Sequence, residues 1–355
     1  MLIYGANGYT GELVTREAVR RGFRPILAGR NAAALEKLAH ELALPFRAFT
    51  LENPGTVASA IRDTKAVLHC AGPFVRTSRQ MVDACLATRV HYLDITGEIA
   101  VFEAILAGGK EARAAGVVLL PGVGFDVVPT DCLALYLKER LPDATHLDLA
   151  FVNEGGGYSR GTLATMIESL PHTGAMRLAG RIAPVPLAAE AMEIDLSVGG
   201  RTRQCVMSIP WGDVSTAFHT TGIANVRVFS GASPARVRLL RRWRFLLPLA
   251  GFGPLKRALA RRVRRREPGP DEAARRAGRV HLWGRVTNAA GRSLTATFST
   301  PEGYALTAVT AVEALSRVAK GDLAPGAWTP ARAFGSGFVF GFAGVAPAVE
   351  KSVSV

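Results

Sequence analysis

The sequence predicts an α/β protein with a doubly wound parallel sheet and a second α+β domain whose sheet is largely antiparallel. Over the first 120 residues, short apolar segments alternate with amphipathic ones, as in βαβ units. A glycine-rich turn joins the first apolar segment to the first amphipathic one. Beyond residue 130, apolar segments follow one another with fewer helical patterns between them, which is typical of antiparallel sheets.

Six strands and the helices between them are predicted in the first domain. The predicted strands are 1–4, 25–28, 46–50, 66–70, 91–95 and 117–120, and the predicted helices are 12–21, 31–42, a short one opening at Asn53-Pro54, 77–88 and 101–115. The helices are recognised by apolar residues three and four positions apart, as at Leu35, Leu38 and Leu42. Ligands of such sheets bind outside the carboxyl ends of the strands. The loops expected at that edge are 5–11, 29–31, 70–74, 94–98 and 121–126.

The turn after the first strand has the pattern of a dinucleotide site. Gly5, Gly8 and Gly11 occupy a GxxGxxG spacing between a strand and a helix. These glycines allow a tight turn, a close backbone approach to a pyrophosphate, and close packing of the helix on the strand. The helix N-terminus then faces the phosphates. The turn therefore predicts a Rossmann-type sheet that binds a dinucleotide, and an ordinary turn is the alternative.

The end of the second strand indicates which dinucleotide is bound. NAD sites usually present Asp or Glu at this point, whereas this chain has Gly29-Arg30-Asn31. A guanidinium can pair with a 2′-phosphate and stack on adenine. Arg30 therefore favours NADP(H), with a solvated cation at the start of a helix as the alternative.

The second domain is predicted from a helix at 129–140, with a stripe of Leu133, Leu137 and Leu141, and from the strands that follow it. The further predicted elements are strand 145–152, a glycine loop at 155–157, helix 159–169, strands 192–198, 201–209, 224–230, 279–287 and 293–300, a turn at 288–291 and helix 304–320. We predict a first domain at 1–130, which the final helix and tail at 303–355 can complete. The second domain at 131–302 would bind substrate or form a homodimer.

A basic insertion at 236–278 interrupts the second domain. The net charge of the chain is +14, and twelve basic residues but no acidic ones lie between Arg236 and Arg266. They flank an apolar block at 245–255, which is shorter than the roughly 20 residues that cross a bilayer. Contact of 236–266 with an anionic membrane surface is one hypothesis, and an acidic carrier protein or a solvated insertion are others. Nucleic acid is the least favoured partner, because no recognised binding module surrounds the arginines.

Other classes of site have no support in the sequence. The four cysteines have neither metal-ligand nor disulfide-framework spacing, the histidines are scattered, and there is no GxSxG or P-loop. We therefore expect no metal and reduced thiols. Met1 runs directly into the first strand, so we expect a cytoplasmic protein, with peripheral membrane contact open. The first strand is short, which leaves room for residues upstream.

Five motifs together resemble the saccharopine dehydrogenase-like oxidoreductases. They are Ile3-Tyr-Gly-Ala-Asn-Gly-Tyr-Thr-Gly11, Leu27-Ala-Gly-Arg-Asn31, Cys70-Ala-Gly-Pro-Phe74, Tyr92-Leu-Asp-Ile-Thr-Gly-Glu98 and Gly122-Val-Gly-Phe-Asp-Val-Val-Pro-Thr-Asp131. Within this family the chain is most similar to the branch of trans-acting enoyl reductases. The resemblance implies a Rossmann domain, NADP(H) as cofactor and an α/β catalytic domain. It does not transfer a substrate, although the mycobacterial enoyl reductases act on lipid intermediates.

The resemblance also implies which residues bind the cofactor. The pyrophosphate would be held by Gly5, Asn7, Gly8, Tyr9, Thr10 and Gly11. The adenosine phosphate would be held by Arg30 and Asn31. The nicotinamide side would be held by Cys70, Ala71, Gly72 and Pro73.

Catalytic candidates come from the remaining loops of the same edge. A reductase usually needs a proton donor near the acceptor. The candidates are Tyr92, Asp94, Glu98 and Asp126. Glu98 and its neighbour Thr96 could instead cap helices, and Asp126 could bond its own turn. Tyr158, from the second domain, is a further phenol, with an ordinary half-buried tyrosine as the alternative.

Three classes of function remain open. The leading one is an NADPH-dependent reductase of a C=C or C=O in a hydrophobic acyl or lipid-like substrate, free or carrier-bound. The second is an amino-acid enzyme of the saccharopine reductase type, which needs carboxylate-binding arginines such as Arg160 or Arg177. The third is a non-catalytic NADP-binding protein at a lipid surface.

Overall fold

The chain folds into two units. The computed structural model describes residues 1–169, 174–196, 203–246 and 253–353. The first unit is Met1–Asp126 with Tyr304–Ala333, and the second is Val127–Gly303 with Phe334–Val355. The tail beyond Ala333 therefore differs from the prediction that 303–355 completes the first domain. Its strand Val349–Val353 pairs with Ser293–Pro301 of the second unit instead.

The first unit is built on a parallel sheet of seven strands. Its strands are β1 (Leu2–Tyr4), β2 (Ile26–Gly29), β3 (Phe46–Ala48), β4 (Ala66–His69), β5 (His91–Asp94), β6 (Val118–Leu120) and β15 (Gly326–Ala327). They are arranged in the order β3-β2-β1-β4-β5-β6-β15. The strand order reverses between β1 and β4, and such a switch point is where doubly wound sheets bind dinucleotides.

The helices of the first unit follow the predicted alternation. They are α1 (Tyr9–Arg20), α2 (Ala32–Leu42), α3 (Pro54–Ile61), α4 (Phe74–Thr88), α5 (Ile99–Ala107), α6 (Gly109–Ala115), α13 (Gly303–Lys320) and α14 (Pro330–Phe334). The first residue of α13 and the last residue of α14 belong to the second unit. The predicted helix at 101–115 was wrong as a single element, because two helices meet at Gly108. Glycine there lowers the helical propensity at the junction.

The central strands are buried on both faces. Leu2, Ile3, Leu27, Val67 and Leu93 are fully buried. A sheet covered by helices on both sides has strands that are apolar throughout rather than alternating. This is why its strands were visible in the sequence as short, continuous apolar segments.

The second unit is built on a mixed, mostly antiparallel sheet. Its strands are β7 (Ala144–Glu154), β8 (Gly174–Leu178), β9 (Arg181–Val185), β10 (Ala191–Ile194), β11 (Gln204–Ser208), β12 (Asn225–Gly231), β13 (Arg279–Asn288), β14 (Ser293–Pro301) and β16 (Val349–Val353). The main order is β10-β11-β12-β7-β13-β14-β16, with β8 paired to β12 and β9. Only β7 and β12 run parallel among these paired strands of the described residues.

The remaining helices belong to the second unit. They are α7 (Val128–Arg140), α8 (Arg160–Ser169), α9 (Asp213–Thr221), α10 (Pro234–Trp243), α11 (Gly253–Arg264) and α12 (Glu272–Ala277). The predicted stripe of Leu133, Leu137 and Leu141 is buried. Gly284 of β13 gives α7 a close approach, because a Cβ there would lie 2.8 Å from Leu137 Cδ1.

Several elements of the second unit were not predicted. They include the hairpin β8–β9, the helices α9 and α12, and strand β16. The hairpin turns through Ala179 and Gly180, both at positive φ, and Ala179 carries no turn signal. Parts of three predictions lie outside the described residues: 197–198, 201–202 and the middle of the apolar block at 247–252.

Candidate functional site

The turn between β1 and α1 forms the centre of the candidate site. The amide of Gly5 donates to Ala28 O at 2.7 Å, and Gly5 has φ +84°. A Cβ on Gly11 would lie only 2.1 Å from Gly5 O, so the helix can pass this close to the turn only with glycine. The turn is therefore a tight backbone arc.

The first turn of α1 faces this arc. Gly8 is the N-cap residue and provides no side-chain cap, in contrast to Asn31 and Asn53, which cap α2 and α3. The positive end of the α1 dipole thus lies at the carboxyl edge of β1 without a capping side chain. This arrangement could hold a dinucleotide pyrophosphate, and the residues predicted for that role all belong to this turn and the first turns of α1, namely Gly5, Asn7, Gly8, Tyr9, Thr10 and Gly11.

The loop after β2 places a cation beside this turn. A Cβ on Gly29 would lie 3.0 Å from Asn7 Oδ1, so the β1 and β2 loops touch. Arg30 is exposed and forms no ion pair within the described residues. Asn31 caps α2, because its Oδ1 accepts from the amide of Ala34 at 3.2 Å. The Arg30 guanidinium is thus available to a ligand, whereas the Oδ1 of Asn31, the other residue predicted for the phosphate, is engaged in the helix cap.

The loop 70–73 packs directly on the glycine turn. The amide of Cys70 donates to Tyr4 O at 2.8 Å. A Cβ on Gly5 would meet Ala71 N and Cβ at 3.0 Å. The Gly72–Pro73 peptide bond is cis. The predicted residues of the nicotinamide side are therefore adjacent to those of the phosphate side.

His69 and Thr77 hold this loop, and the sequence did not single out either residue. The Thr77 hydroxyl donates to Ala71 O at 2.8 Å. Its single proton is then engaged, so it accepts from His69 Nε2–H at 2.9 Å. Nδ1 of His69 is consequently unprotonated, and this buried atom has no hydrogen-bond partner among the described residues. Burial lowers the pKa of His69 to about 3, so the ring is neutral.

Asp94, at the end of β5, organises two further loops. Its carboxylate accepts from Tyr92 Oη at 2.8 Å, the amide of Thr96 at 3.0 Å and the amide of Gly122 at 2.8 Å. Burial raises the pKa of Asp94 to about 6, against the opposing effect of these hydrogen bonds. Tyr92 and Asp94 are both fully buried. Their geometry is that of positioning residues rather than of groups that contact a substrate.

Glu98 caps a helix, although not the one that follows it. Its two carboxylate oxygens accept from the amides of Phe74 and Val75 at 2.7 and 2.8 Å. These are the first amides of α4, so the negative charge lies at the positive end of that helix. Thr96 Oγ1 in turn accepts from the amide of Glu98 at 3.1 Å.

Asp126 lies beside Glu98 and is partly exposed. A Cβ on Gly97 would lie 2.7 Å from Asp126 Oδ2, so the carboxyl rests against this glycine. Burial, and then the charge of Glu98, raises the pKa of Asp126 to about 7. Near neutral pH, Asp126 is therefore a carboxyl that can hold and release a proton.

Helix α13 supports the loop that carries Asp126. Thr307 Oγ1 accepts from the amide of Phe125 at 2.9 Å, and Thr310 Oγ1 donates to Val123 O at 2.8 Å. The Tyr304 ring meets the Tyr9 ring edge-on, with centroids 5.1 Å apart. The periodicity predicted this helix, but no sequence signal assigned these threonines and Tyr304 to the site.

The candidate residues of the second unit have other roles. Arg177 is buried and donates to Val214 O and Gly180 O, both at 2.8 Å. Arg160 donates from Nε to Arg266 O. Tyr158 is half exposed. Neither arginine presents its whole guanidinium to a carboxylate ligand.

The first third of the chain matches a known family of NADP-binding domains. Residues 1–120 match the family described as "Saccharopine dehydrogenase NADP binding domain". The chain is 26% identical over 161 residues to the human saccharopine dehydrogenase-like oxidoreductase, covering 40% of this chain and 38% of that protein. It is 31% identical over 183 residues to a Mycobacterium tuberculosis protein named as a trans-acting enoyl reductase, covering 48% and 44%. The matches thus span less than half of these two relatives.

Two solved structures share the fold over nearly the whole chain. The L-Glu-forming saccharopine dehydrogenase of Saccharomyces cerevisiae has a TM-score of 0.69 at 13% identity, covering 99% of each chain. The homospermidine synthase of Legionella pneumophila, solved with NAD, has a TM-score of 0.63 at 9% identity, covering 99% of this chain and 91% of that one. The resemblance in motifs and the Rossmann-type sheet are confirmed: residues 1–120 match the NADP-binding domain of this family, and the solved saccharopine dehydrogenase shares the fold.

Proposed function

We propose that the protein is an NADP(H)-dependent oxidoreductase that reduces a C=C or C=O bond of a hydrophobic acyl or lipid-like substrate. The observation that carries this proposal is Asp126, a proton-holding carboxyl at the same sheet edge as the dinucleotide turn. When bound, NADPH supplies the hydride. The chain must then supply the proton that completes the reduction.

Asp126 supplies that proton to the substrate atom that gains negative charge. The raised pKa keeps a large fraction of the carboxyl protonated near pH 7, and the charge of Glu98 favours this form. Glu98 is itself fixed by the two amides of α4, so its charge stays beside Asp126. A general acid of this kind contributes on the order of 10² to 10⁴ in rate.

Four other side chains position the reacting groups. Asp94 fixes the loop of Asp126 through the amide of Gly122. His69 and Thr77 fix Ala71 on the nicotinamide side. His69 and Asp94 are the last residues of β4 and β5. Arg30 pairs with the 2′-phosphate and gives the preference for NADP(H).

Two observations favour an acyl substrate over an amino acid. The mycobacterial relative is named as an enoyl reductase. In the second unit, Arg160 and Arg177 donate to backbone carbonyls, which reduces their capacity to bind the carboxylates of an amino-acid substrate.

The test is a substrate screen that follows NADPH consumption. The substrates are α,β-unsaturated and β-keto acyl thioesters of increasing chain length, together with pairs of an amino acid and an aldehyde. With deuterium-labelled NADPH, the product of an acyl substrate should carry one label from the cofactor and one proton from solvent. Asp126→Asn is the control that should bind NADPH but turn over slowly.

The other outcomes discriminate between the remaining functions. Turnover of amino-acid and aldehyde pairs alone would support the saccharopine reductase type. NADPH binding without turnover of either substrate class would support a non-catalytic NADP-binding protein.

A further inference from the structure

Helix α10 has one face packed on the second unit. Val237 is buried against a cluster that includes Ala188 and Met207. Arg241, one turn further along, donates to Ala188 O at 2.8 Å and Ala189 O at 3.0 Å. The orientation of the helix is therefore fixed by contacts within its own unit.

The opposite face of α10 carries an exposed apolar stripe. Ala235, Leu239 and Trp243 follow one another at a spacing of four residues, so they lie on one side of the helix. Leu239 is 59% exposed and Trp243 is 47% exposed. Phe245 and Leu246 continue the apolar surface at 67% and 40% exposure, and the Phe245 ring stacks on Trp243 with centroids 6.1 Å apart. Large apolar side chains clustered at a surface in this way mark an interaction site.

Cations border this stripe on both sides. Arg236 flanks it on one side of the helix, and Arg238 and Arg242 flank it on the other. All three are exposed, and in the described part of the chain none of them forms an ion pair. Residues 236–266 contain no acidic residue, so this segment itself contributes only positive charge to the surface.

We propose that α10 and residues 243–246 lie on the surface of an anionic lipid bilayer. Charge alone would fit an acidic protein equally well. The combination of arginines and an apolar stripe fits a bilayer better. The guanidiniums can pair with headgroup phosphates while the stripe between them enters the apolar layer below. Tryptophan is enriched at the boundary between these two layers, which is where Trp243 would lie. No helix of the described residues is long and apolar enough to cross a membrane. We therefore propose that α10 lies along the membrane surface and does not span the bilayer.

Vesicle binding tests this proposal without reference to catalysis. The full chain is sedimented with phosphatidylcholine vesicles that contain or lack phosphatidylserine, at low and high salt. We expect binding only with phosphatidylserine, weakening as salt rises, because the arginines act through a screened field. Binding to neutral vesicles at high salt would overturn the electrostatic part of the proposal.

Matched variants test the apolar part. The double variant Leu239→Gln/Trp243→Gln keeps every charge and should bind at least roughly tenfold more weakly, because two large side chains no longer leave water. Phe46→Gln, at an exposed apolar residue of the first unit, should bind like wild type. Equal binding of the double variant and wild type would overturn the insertion of the stripe.

Tryptophan fluorescence localises the contact. The emission should shift to shorter wavelength with anionic vesicles, and Trp243→Phe should remove the shift while binding persists. A shift that survives in Trp243→Phe would contradict contact through α10. Retention on heparin without binding to any vesicle would overturn the lipid proposal and indicate an acidic macromolecule instead.

Discussion

Asp94 Oδ1 accepts a hydrogen bond from the amide of Gly122 at 2.8 Å, which joins the end of β5 to the loop that follows β6. Gly122 has φ +74°, a conformation that favours glycine. Asp126 lies four residues further along this loop. The position of Asp126, the proposed proton donor, thus depends on the carboxylate of Asp94, which is fully buried.

Replacing Asp126 with Asn should lower kcat by roughly 10² to 10⁴, because the amide cannot donate the required proton. The affinity for NADPH should stay unchanged, since Asp126 is not part of the glycine turn. In the wild type, kcat/KM should fall as the pH rises through about 7, where the carboxyl loses its proton.

Glu98→Gln provides a control for this assignment. It removes the charge that helps to raise the pKa of Asp126, so the fall in kcat/KM should move to lower pH. A profile that is identical in both proteins would contradict the assignment of the titration to Asp126.

Arg30→Ala should weaken NADPH binding by about 10- to 100-fold, the size of a lost hydrogen bond between charged groups. The affinity for NADH should change little, because that cofactor lacks the 2′-phosphate. Fluorescence titration with both nucleotides measures the two affinities. Equal losses for NADPH and NADH would show that Arg30 does not act through the phosphate.

Gly11→Ala should abolish NADPH binding and lower the free energy of unfolding, because its Cβ would lie 2.1 Å from Gly5 O. Overpacking of this kind costs about 1–3 kcal/mol or more. Gly109→Ala is the matched control, since a Cβ there makes only ordinary contacts, of which the nearest is 3.5 Å. Chemical denaturation and nucleotide titration of both variants give the comparison, and a fully functional Gly11→Ala protein would refute the role of the turn.

The stability of the protein should depend on pH through His69. Its pKa is lowered from 6.5 to about 3 in the folded state by burial. Above pH 6.5 the ring is neutral in both the folded and the unfolded chain, so His69 does not lower the free energy of unfolding. Below pH 6.5 the unfolded chain takes up the proton preferentially. The free energy of unfolding therefore falls by about 2 kcal/mol by pH 5 and continues to fall toward pH 3. The raised pKa values of Asp94 and Asp126 have the opposite effect, because the folded chain binds their protons more readily as the pH falls. The effect of His69 is therefore measured as the difference between wild type and a variant.

His69→Gln isolates this contribution, because the other titrating groups cancel in the difference. Denaturation at pH 8 and pH 5 should show a smaller loss of unfolding free energy for the variant than for wild type. The same loss in both proteins would mean that His69 does not stay neutral in the fold.

The loops of the site could be placed from the sequence because parallel strands end at a common edge. The glycine turn, Arg30 and Cys70–Pro73 lie where this rule puts them, and they touch through Gly5 and Ala71. The roles of individual side chains could not be placed in the same way. Whether Glu98 caps α4 or its own helix depends on a contact across 24 residues that no local pattern encodes.

The role of His69 could not be predicted from the sequence either. A single histidine at the end of an apolar strand gives no periodic or spacing signal. Its role follows only from the direction of the Thr77 hydroxyl, which is fixed by Ala71 O. Hydrogen bonds between side chains, such as that of His69 with Thr77, depend on side-chain geometry. The sequence pattern indicates only which segments are buried and where the chain turns.

The completion of the first sheet by β15 has a consequence for synthesis on the ribosome. The amides of Gly326 and Trp328 pair with Val117 O and Leu119 O, both at 2.9 Å, so the last strand covers the edge of β6. Residues 127–303 must emerge before this can happen, which takes roughly 10 to 35 seconds at typical elongation rates. During that interval the nascent chain carries an uncovered β6 edge, the kind of surface on which strands mispair. The domain that begins first is therefore completed late, and slowing translation within the second domain should increase aggregation of the nascent protein.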